Sequence, residues 1–252
     1  MPHERHLVVF SGAGLSADSG IATFRGSDGL WENHRIDEVC NYLTWERHRD
    51  SVHRFYNARR VALAEVQPHA MHRLLASWQS RFKTTLITQN IDDLLERAGA
   101  SDVLHVHGVL TRMRCEACET VWDIGTTAWD PSMDCCPACG SKDKVKPDVV
   151  FFNEPAPLYE PMWEVLGSLR RDDVLVVIGT DGAVVPIGGI AEQLKCRKVL
   201  NNLEPVAPEN FVRGMVAPRQ FDRTLYKPAA KAAGELDEIV TAWMAAWSGS
   251  GL

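Results

Sequence analysis

Five short apolar runs, each closed by a polar or glycine-rich turn, constrain this chain more than any other feature. Leu7-Val8-Val9-Phe10 leads into Ser11-Gly12-Ala13-Gly14, and Thr85-Leu86-Ile87 into Thr88-Gln89-Asn90-Ile91-Asp92. Val103-Leu104-His105-Val106 precedes His107-Gly108, residues 174–178 precede Gly179-Thr180-Asp181, and Lys198-Val199-Leu200 precedes Asn201-Asn202-Leu203-Glu204. Runs this short, rich in Val and Ile and without polar alternation, suit strands covered on both faces. Helix-like stretches at 68–80 and 92–98 separate some of them. Strands alternating with helices predict an α/β fold on a parallel sheet. Such sheets bind ligands beyond the carboxyl ends of their strands. The residues able to do chemistry sit in those same turns, so one shared pocket is expected.

Two segments interrupt the alternation. Residues 26–76 read as helical and polar, and residues 111–148 carry a cysteine cluster. Both are expected to leave the sheet domain (1–25, 77–110 and 149–252) and form a second, smaller helical and zinc-binding domain.

The cysteines define the chemistry of that excursion. Five of the seven lie between Cys115 and Cys139. Cys115-Glu-Ala-Cys118 and Cys136-Pro-Ala-Cys139 are two C-x-x-C pairs separated by seventeen residues, within the spacing of about 15–20 seen in zinc ribbons. Four thiolates close a tetrahedral shell and leave no position for substrate, so the expected metal is a structural zinc. Cys135 could compete with Cys136, but the spacing favours Cys136.

Gly12-Ala13-Gly14 after a strand can cradle a pyrophosphate, because glycines admit close approach and free N–H groups attract the charge. The third glycine of the usual dinucleotide fingerprint is replaced by Ala17, and no clear ribose-binding acid follows about 20 residues on, which argues against an ordinary dehydrogenase. His107 is a candidate general base. His105, two residues earlier, is expected to point to the opposite side and to be structural. Asn90 and Asp92, at a neighbouring strand end, could hold an amide or a sugar hydroxyl.

Composition excludes several classes. The net charge of -6 opposes a nucleic-acid binder, which needs a basic surplus. The first apolar run is shorter than a signal-peptide core, and nothing approaches a membrane span. A soluble, cytoplasmic protein with no membrane partner is therefore expected.

The stretch Gly12-Ala13-Gly14-Leu15-Ser16-Ala17-Asp18-Ser19-Gly20-Ile21-Ala22-Thr23-Phe24-Arg25 resembles the signature of the sirtuins, NAD-dependent protein lysine deacylases. Thr88-Gln89-Asn90-Ile91-Asp92, His107-Gly108, the paired C-x-x-C, Val149-Val150-Phe151-Phe152 before Glu154, Gly179-Thr180 and Asn202-Leu203-Glu204-Pro205 follow in the family's order. The resemblance implies a Rossmann-like domain with an inserted helical and zinc-ribbon domain, NAD and zinc as cofactors, and acylated lysine-containing proteins or peptides as partners. It implies that Gly12, Ala13, Gly14, Ser16, Ala17, Asp18, Thr23, Phe24, Arg25 and Trp31 form the cofactor loop. Gln89, Asn90, Ile91, Asp92 and His107 would serve the ribose and nicotinamide, with His107, Asn90 and Asp92 catalytic. Gly179, Thr180, Asp181, Asn202, Leu203, Glu204 and Ala229 would hold the adenosine side, and Val150 and Phe152 the substrate. Acyl groups would leave lysine as O-acyl-ADP-ribose, releasing nicotinamide.

Phe55-Tyr56-Asn57-Ala58-Arg59 is similar to the Tyr-x-x-Arg of sirtuins that accept acidic acyl groups. Residues three apart share a helix face, and a guanidinium grips a carboxylate bidentately, so Tyr56 and Arg59 would read succinyl- or malonyl-lysine. The chain departs from the family at Asp181 (usually serine), Asn153 and Lys227 (usually glycine) and Ser27 (usually alanine), and about nine residues are inserted after Pro205. Competing readings are an ADP-ribosyltransferase or NADase, and a degenerate NAD-sensing module.

Overall fold

The computed structural model describes residues 4–22, 30, 31 and 34–245. Its strands are β1 (His6–Ser11), β2 (Leu30–Trp31), β3 (His34–Arg35), β4 (Lys83–Thr88), β5 (Leu104–His105), β6 (Gly108–Cys115), β7 (Val121–Asp123), β8 (Val145–Val149), β9 (Val174–Ile178), β10 (Arg197–Asn202) and β11 (Arg223–Tyr226). The helices are α1 (Ile36–Val39), α2 (Arg49–Glu65), α3 (Ala70–Arg81), α4 (Leu94–Arg97), α5 (Tyr159–Gly167), α6 (Ile187–Gln193) and α7 (Ala229–Ala245).

Each apolar run read from the sequence contributes a strand to one six-stranded sheet, ordered β11-β10-β9-β1-β4-β5, with every pairing parallel. The lack of alternation has the expected cause. In β1, Leu7 and Val9 enter the core beneath α3 and α7, while Val8 and Phe10 enter the core shared with α5 and α6. Both faces are covered, so both sets of side chains are apolar. Met71, Leu75 and Trp78 bind α3 to the first of these cores.

Two further cores lie outside the sheet. One gathers α1 and α2 around Val39, Trp45, Val52, Tyr56 and Leu63, with Phe151 completing it. The other packs Met113, Trp129 and Val145 around Cys115 and Cys136, inside the antiparallel sheet β7-β6-β8. Asn57 ties the two together, donating to the Trp129 carbonyl at 2.8 Å and accepting from its N–H at 2.9 Å. Among the described residues, no helix is long and apolar enough to cross a membrane.

Candidate active site

The chain leaves β1 for β4 and β5 on one side and later fills the other side with β9, β10 and β11. The order reverses between β1 and β9, and an open parallel sheet forms its ligand crevice at such a switch point, beyond the carboxyl ends of the strands. The loops after these two strands meet backbone to backbone. The Gly12 N–H donates to the Ile178 carbonyl at 2.9 Å, and the Gly14 N–H to Gly179 at 2.8 Å. A Cβ on Gly179, whose φ is +64°, would stand 2.2 Å from the Leu15 nitrogen, and one on Gly14 would stand 2.7 Å from the Gly179 Cα. Glycine is the residue that permits this approach. Neighbouring turns are fastened to the same spot. Gln89 donates to the Thr180 hydroxyl at 3.2 Å, and Asn202 brackets the Thr180 backbone, accepting from its N–H at 3.1 Å and donating to its carbonyl at 2.9 Å. The turns after β1, β4, β9 and β10 thus converge as the motif order implied.

Beneath this crevice the Ser16 hydroxyl is saturated. It donates to Asp92 Oδ2 at 2.9 Å and accepts from Asn90 Nδ2 at 3.1 Å. Its third partner is His72 Nε2 at 3.3 Å. His72 Nδ1 accepts from the His69 N–H at 3.3 Å, so the ring proton sits on Nε2 and points at Ser16. Burial, with His69 and Arg73 nearby, lowers the His72 pKa to about 3, which keeps the ring neutral. Burial pushes the Asp92 carboxyl up, against the opposing effects of the Ser16 hydroxyl and the Leu94 N–H. Nothing in the sequence reading singled out His72; the only available signal was a pair of histidines three apart at a helix start.

His105 and His107 diverge, as expected, but by a different route. On a continuous strand, residues two apart share a face. Here β5 ends at His105 and the chain turns. His105 packs inward, with Nδ1 2.9 Å from the Asn90 carbonyl and Nε2 2.8 Å from Glu96. His107 is half-buried, its Nδ1 3.1 Å from the Gln89 carbonyl and its Nε2 2.8 Å from the Tyr159 hydroxyl. A carbonyl only accepts, so Nδ1 carries the proton and Nε2 is the basic atom. Burial lowers the His107 pKa, with the Gln89 carbonyl acting in the opposite sense.

The segment 150–154 runs from this histidine toward α2. The Val150 N–H donates to the His107 carbonyl at 2.9 Å, while Phe152 exchanges backbone bonds with Cys40 and Tyr42. Asn153 adopts a φ of +65°, a region asparagine tolerates better than most residues. A buried ion pair holds the segment from beneath. Lys146 Nζ lies 3.1 Å from Glu154 Oε1 and 4.3 Å from the Phe151 ring centroid, while Glu154 Oε2 accepts from the Phe151 N–H at 2.7 Å. Tyr56 is fully buried, stacked on Phe151 at 5.8 Å with its hydroxyl against the Cys40 thiol. Burial pushes that hydroxyl well above its ordinary pKa. Arg59 is half-buried one helical turn on, its guanidinium 3.1 Å from the Phe55 ring centroid and donating to the Phe55 carbonyl at 2.9 Å.

The four thiols of the two C-x-x-C pairs lie within 4.8 Å of one another. Two of the separations, Cys115–Cys139 and Cys118–Cys136, are 3.6 Å. A tetrahedron with Zn–S bonds of about 2.3 Å has edges of about 3.8 Å, so the cluster fits zinc. Cys135 is exposed and outside the group.

Other anticipated residues are placed differently. Thr23, Phe24, Arg25 and Ser27 lie outside the described residues, as does the side chain of Trp31. The Asp18 carboxylate accepts from the Ala230 N–H at 2.8 Å, beside Ala229 at the start of α7. Ala17, Leu203 and Glu204 are exposed at the crevice rim, and Ile91 is half-buried. Asp181 is absorbed into its own turn, its carboxylate accepting from the Ala183 N–H at 2.9 Å. The insertion after Pro205 packs onto that turn through Val216, whose N–H donates to the Asp181 carbonyl at 2.9 Å. Lys227 pairs with Glu235.

Comparison with known proteins agrees with this geometry. The Sir2 family profile matches residues 12–186. An NAD-dependent protein deacylase of Helicobacter hepaticus is 43% identical over 254 residues, covering 92% of this chain and 96% of that protein. One from Trypanosoma brucei brucei is 39% identical over 245 residues, covering 94% and 92%. Among solved structures, a Sir2 homolog–NAD complex superposes with a TM-score of 0.79 at 30% identity, covering 96% of this chain and 91% of that one. A mutant Sir2 homologue bound to ADP-ribose gives 0.79 at 30% identity, covering 99% and 96%.

Proposed function

The chain belongs to the Sir2 family, and from that premise we propose that it is an NAD-dependent protein-lysine deacylase acting on acidic as well as acetyl acyl groups. The observation that carries the reading is His107 at the strand ends, its proton fixed on Nδ1 by the carbonyl of Gln89, the residue before Asn90 of the Ser16–Asn90–Asp92 cluster, which leaves Nε2 basic. NAD, when bound, would supply an electrophilic ribose carbon for the acyl oxygen and nicotinamide as the leaving group. The glycine loops supply close backbone approach for its phosphates. Thr180 and Asn202 hold the β9 and β10 turns at the adenosine side. Asn90 and Asp92, oriented by Ser16, serve the nicotinamide and ribose. His107 Nε2 takes a proton from a ribose hydroxyl, and the Gln89 carbonyl stabilises the resulting imidazolium through Nδ1–H. Cys115, Cys118, Cys136 and Cys139 would hold a structural zinc that braces the β7-β6-β8 sheet, away from the reacting groups.

The segment 150–152 is the substrate's docking edge, with Val150 and Phe152 against the peptide. Tyr56 meets this segment through Phe151, and Arg59 follows one helical turn on along α2. Arg59 supplies the guanidinium for a distal carboxylate, turning from its own helix to do so.

Mass spectrometry of the protein with NAD and matched acetyl-, succinyl- and malonyl-lysine peptides tests this reading. NAD-dependent loss of the acyl group with O-acyl-ADP-ribose formation is expected. Consumption of NAD without deacylation would overturn it in favour of hydrolysis or ADP-ribosyl transfer.

A further inference from the structure

His107 has a single basic nitrogen, and a neighbouring side chain already covers it. Its Nδ1–H is committed to the Gln89 carbonyl, so Nε2 carries the ring's one in-plane lone pair. The Tyr159 hydroxyl lies 2.8 Å from Nε2 and is therefore the donor. A ribose hydroxyl giving its proton to Nε2 must come within hydrogen-bond reach of the same lone pair. The two donors compete for one acceptor.

Tyr159 packs at the margin of the core shared with α5 and α6, and its hydroxyl can leave His107 by a side-chain rotation. It is the first residue of α5, half-exposed, and its N–H is tied to the Ala156 carbonyl at 3.0 Å. Its ring rests edge-on against Trp163, with centroids 6.2 Å apart. Among the described residues, the hydroxyl's hydrogen-bond partner is His107. Rotation of the side chain moves the hydroxyl and leaves the helix in place. Burial pushes the phenol pKa up, so Tyr159 stays a neutral donor at neutral pH.

We propose that Tyr159 is a positioning residue that covers the His107 base in the resting enzyme and is displaced by the cofactor's ribose hydroxyl on binding. At the exchange itself one O–H···N hydrogen bond replaces another and no proton moves. Transfer follows, from the ribose oxygen to Nε2. This role rests on the deacylase reading for what His107 does, but the competition for its lone pair is measurable without turnover.

The experiment compares wild type with Tyr159→Phe, which keeps the ring and removes the hydroxyl. Calorimetric titration with ADP-ribose reads the competition directly. The variant should bind roughly two- to twelvefold tighter, the equivalent of one net hydrogen bond no longer broken. In steady-state assays its KM for NAD should fall in step while kcat holds. Equal affinity for ADP-ribose in both proteins would overturn the proposal. A collapse of kcat with unchanged affinity would also overturn it, assigning Tyr159 to proton relay. Absence of ADP-ribose binding in both proteins would overturn it too, since no ribose then competes for Nε2. Wild type that binds ADP-ribose with the expected contrast but removes no acyl group would refute the deacylase reading alone.

Discussion

Replacing Lys146 with methionine should destabilise the protein by about 3–4 kcal/mol. The side chain is 1% exposed, and its ammonium touches Glu154 Oε1 at 3.1 Å, the Val149 carbonyl at 2.8 Å and the Pro147 carbonyl at 3.3 Å. Methionine keeps the length and apolar stem but removes the charge. Breaking a buried pair by deleting one partner costs about 3–5 kcal/mol, because the other charge remains buried and uncompensated. Glu154 retains 12% of its side-chain surface, which places the cost toward the lower end. At about 2–4 °C per kcal/mol for a chain of this size, the midpoint should fall by roughly 6–16 °C. Urea unfolding measures the free energy, with an unchanged slope showing that the native state stays compact. Adding Glu154→Gln to Lys146→Met should recover part of the loss, because the stranded charge disappears while an oxygen remains for the Phe151 N–H. A single variant that loses less than about 1 kcal/mol, or a double variant worse than the single, would refute this account of the pair.

Chelation, or Cys136→Ser, should release about one zinc per chain and unfold the β7-β6-β8 sheet; a stable, metal-free wild type would contradict the assignment. Arg59→Met should lower kcat/KM for succinyl-lysine peptide about ten- to a hundredfold, the scale of a charge-assisted hydrogen bond, and leave acetyl-lysine nearly unchanged; equal losses would dismiss carboxylate recognition. For His105, burial opposes the charge, but the Glu96 carboxylate and the Asn90 carbonyl outweigh it and the folded pKa is raised. That stabilisation is fully present below the unfolded value of about 6.5 and fades as pH rises through the folded one. Glu96→Gln should therefore destabilise more at about pH 6 than at about pH 8.5; a pH-independent cost would show that His105 is neutral throughout.

The sheet was legible because its physics is local. A strand covered on both faces must be apolar at consecutive positions, so the runs at 7–10 and 174–178 marked central strands without any knowledge of their partners. The zinc cluster was legible for the same reason, since ligand type and spacing are properties of short segments. Cys136 rather than Cys135 joins the cluster, as the spacing required. The convergence of Gly12, Gln89, Thr180 and Asn202 followed from the rule that parallel sheets bind ligands at one end.

Other features depended on side chains far apart in sequence. Asp181, which stands where the family usually has serine, caps a local turn with its carboxylate. Its neighbour in space is Val216, from an insertion whose place in the fold no motif marked. Tyr56, expected to read an acidic acyl group together with Arg59, lies in the core between Phe151 and Cys40. His72 and Tyr159 carry no signature of their own.

By itself the sequence determined the parallel sheet, the zinc ligands and the meeting of Gly12, Gln89, Thr180 and Asn202 at the strand ends. Backbone hydrogen bonding, apolar burial and metal-ligand spacing act over a few residues and leave periodic traces. Only the tertiary structure decided which nitrogen of His107 is basic, what orients Ser16 and which hydroxyl competes for the base. Those are questions of hydrogen-bond direction between groups far apart in sequence (His107 with the Gln89 carbonyl and with Tyr159, Ser16 with His72), and directionality is settled by the packed geometry rather than by residue type.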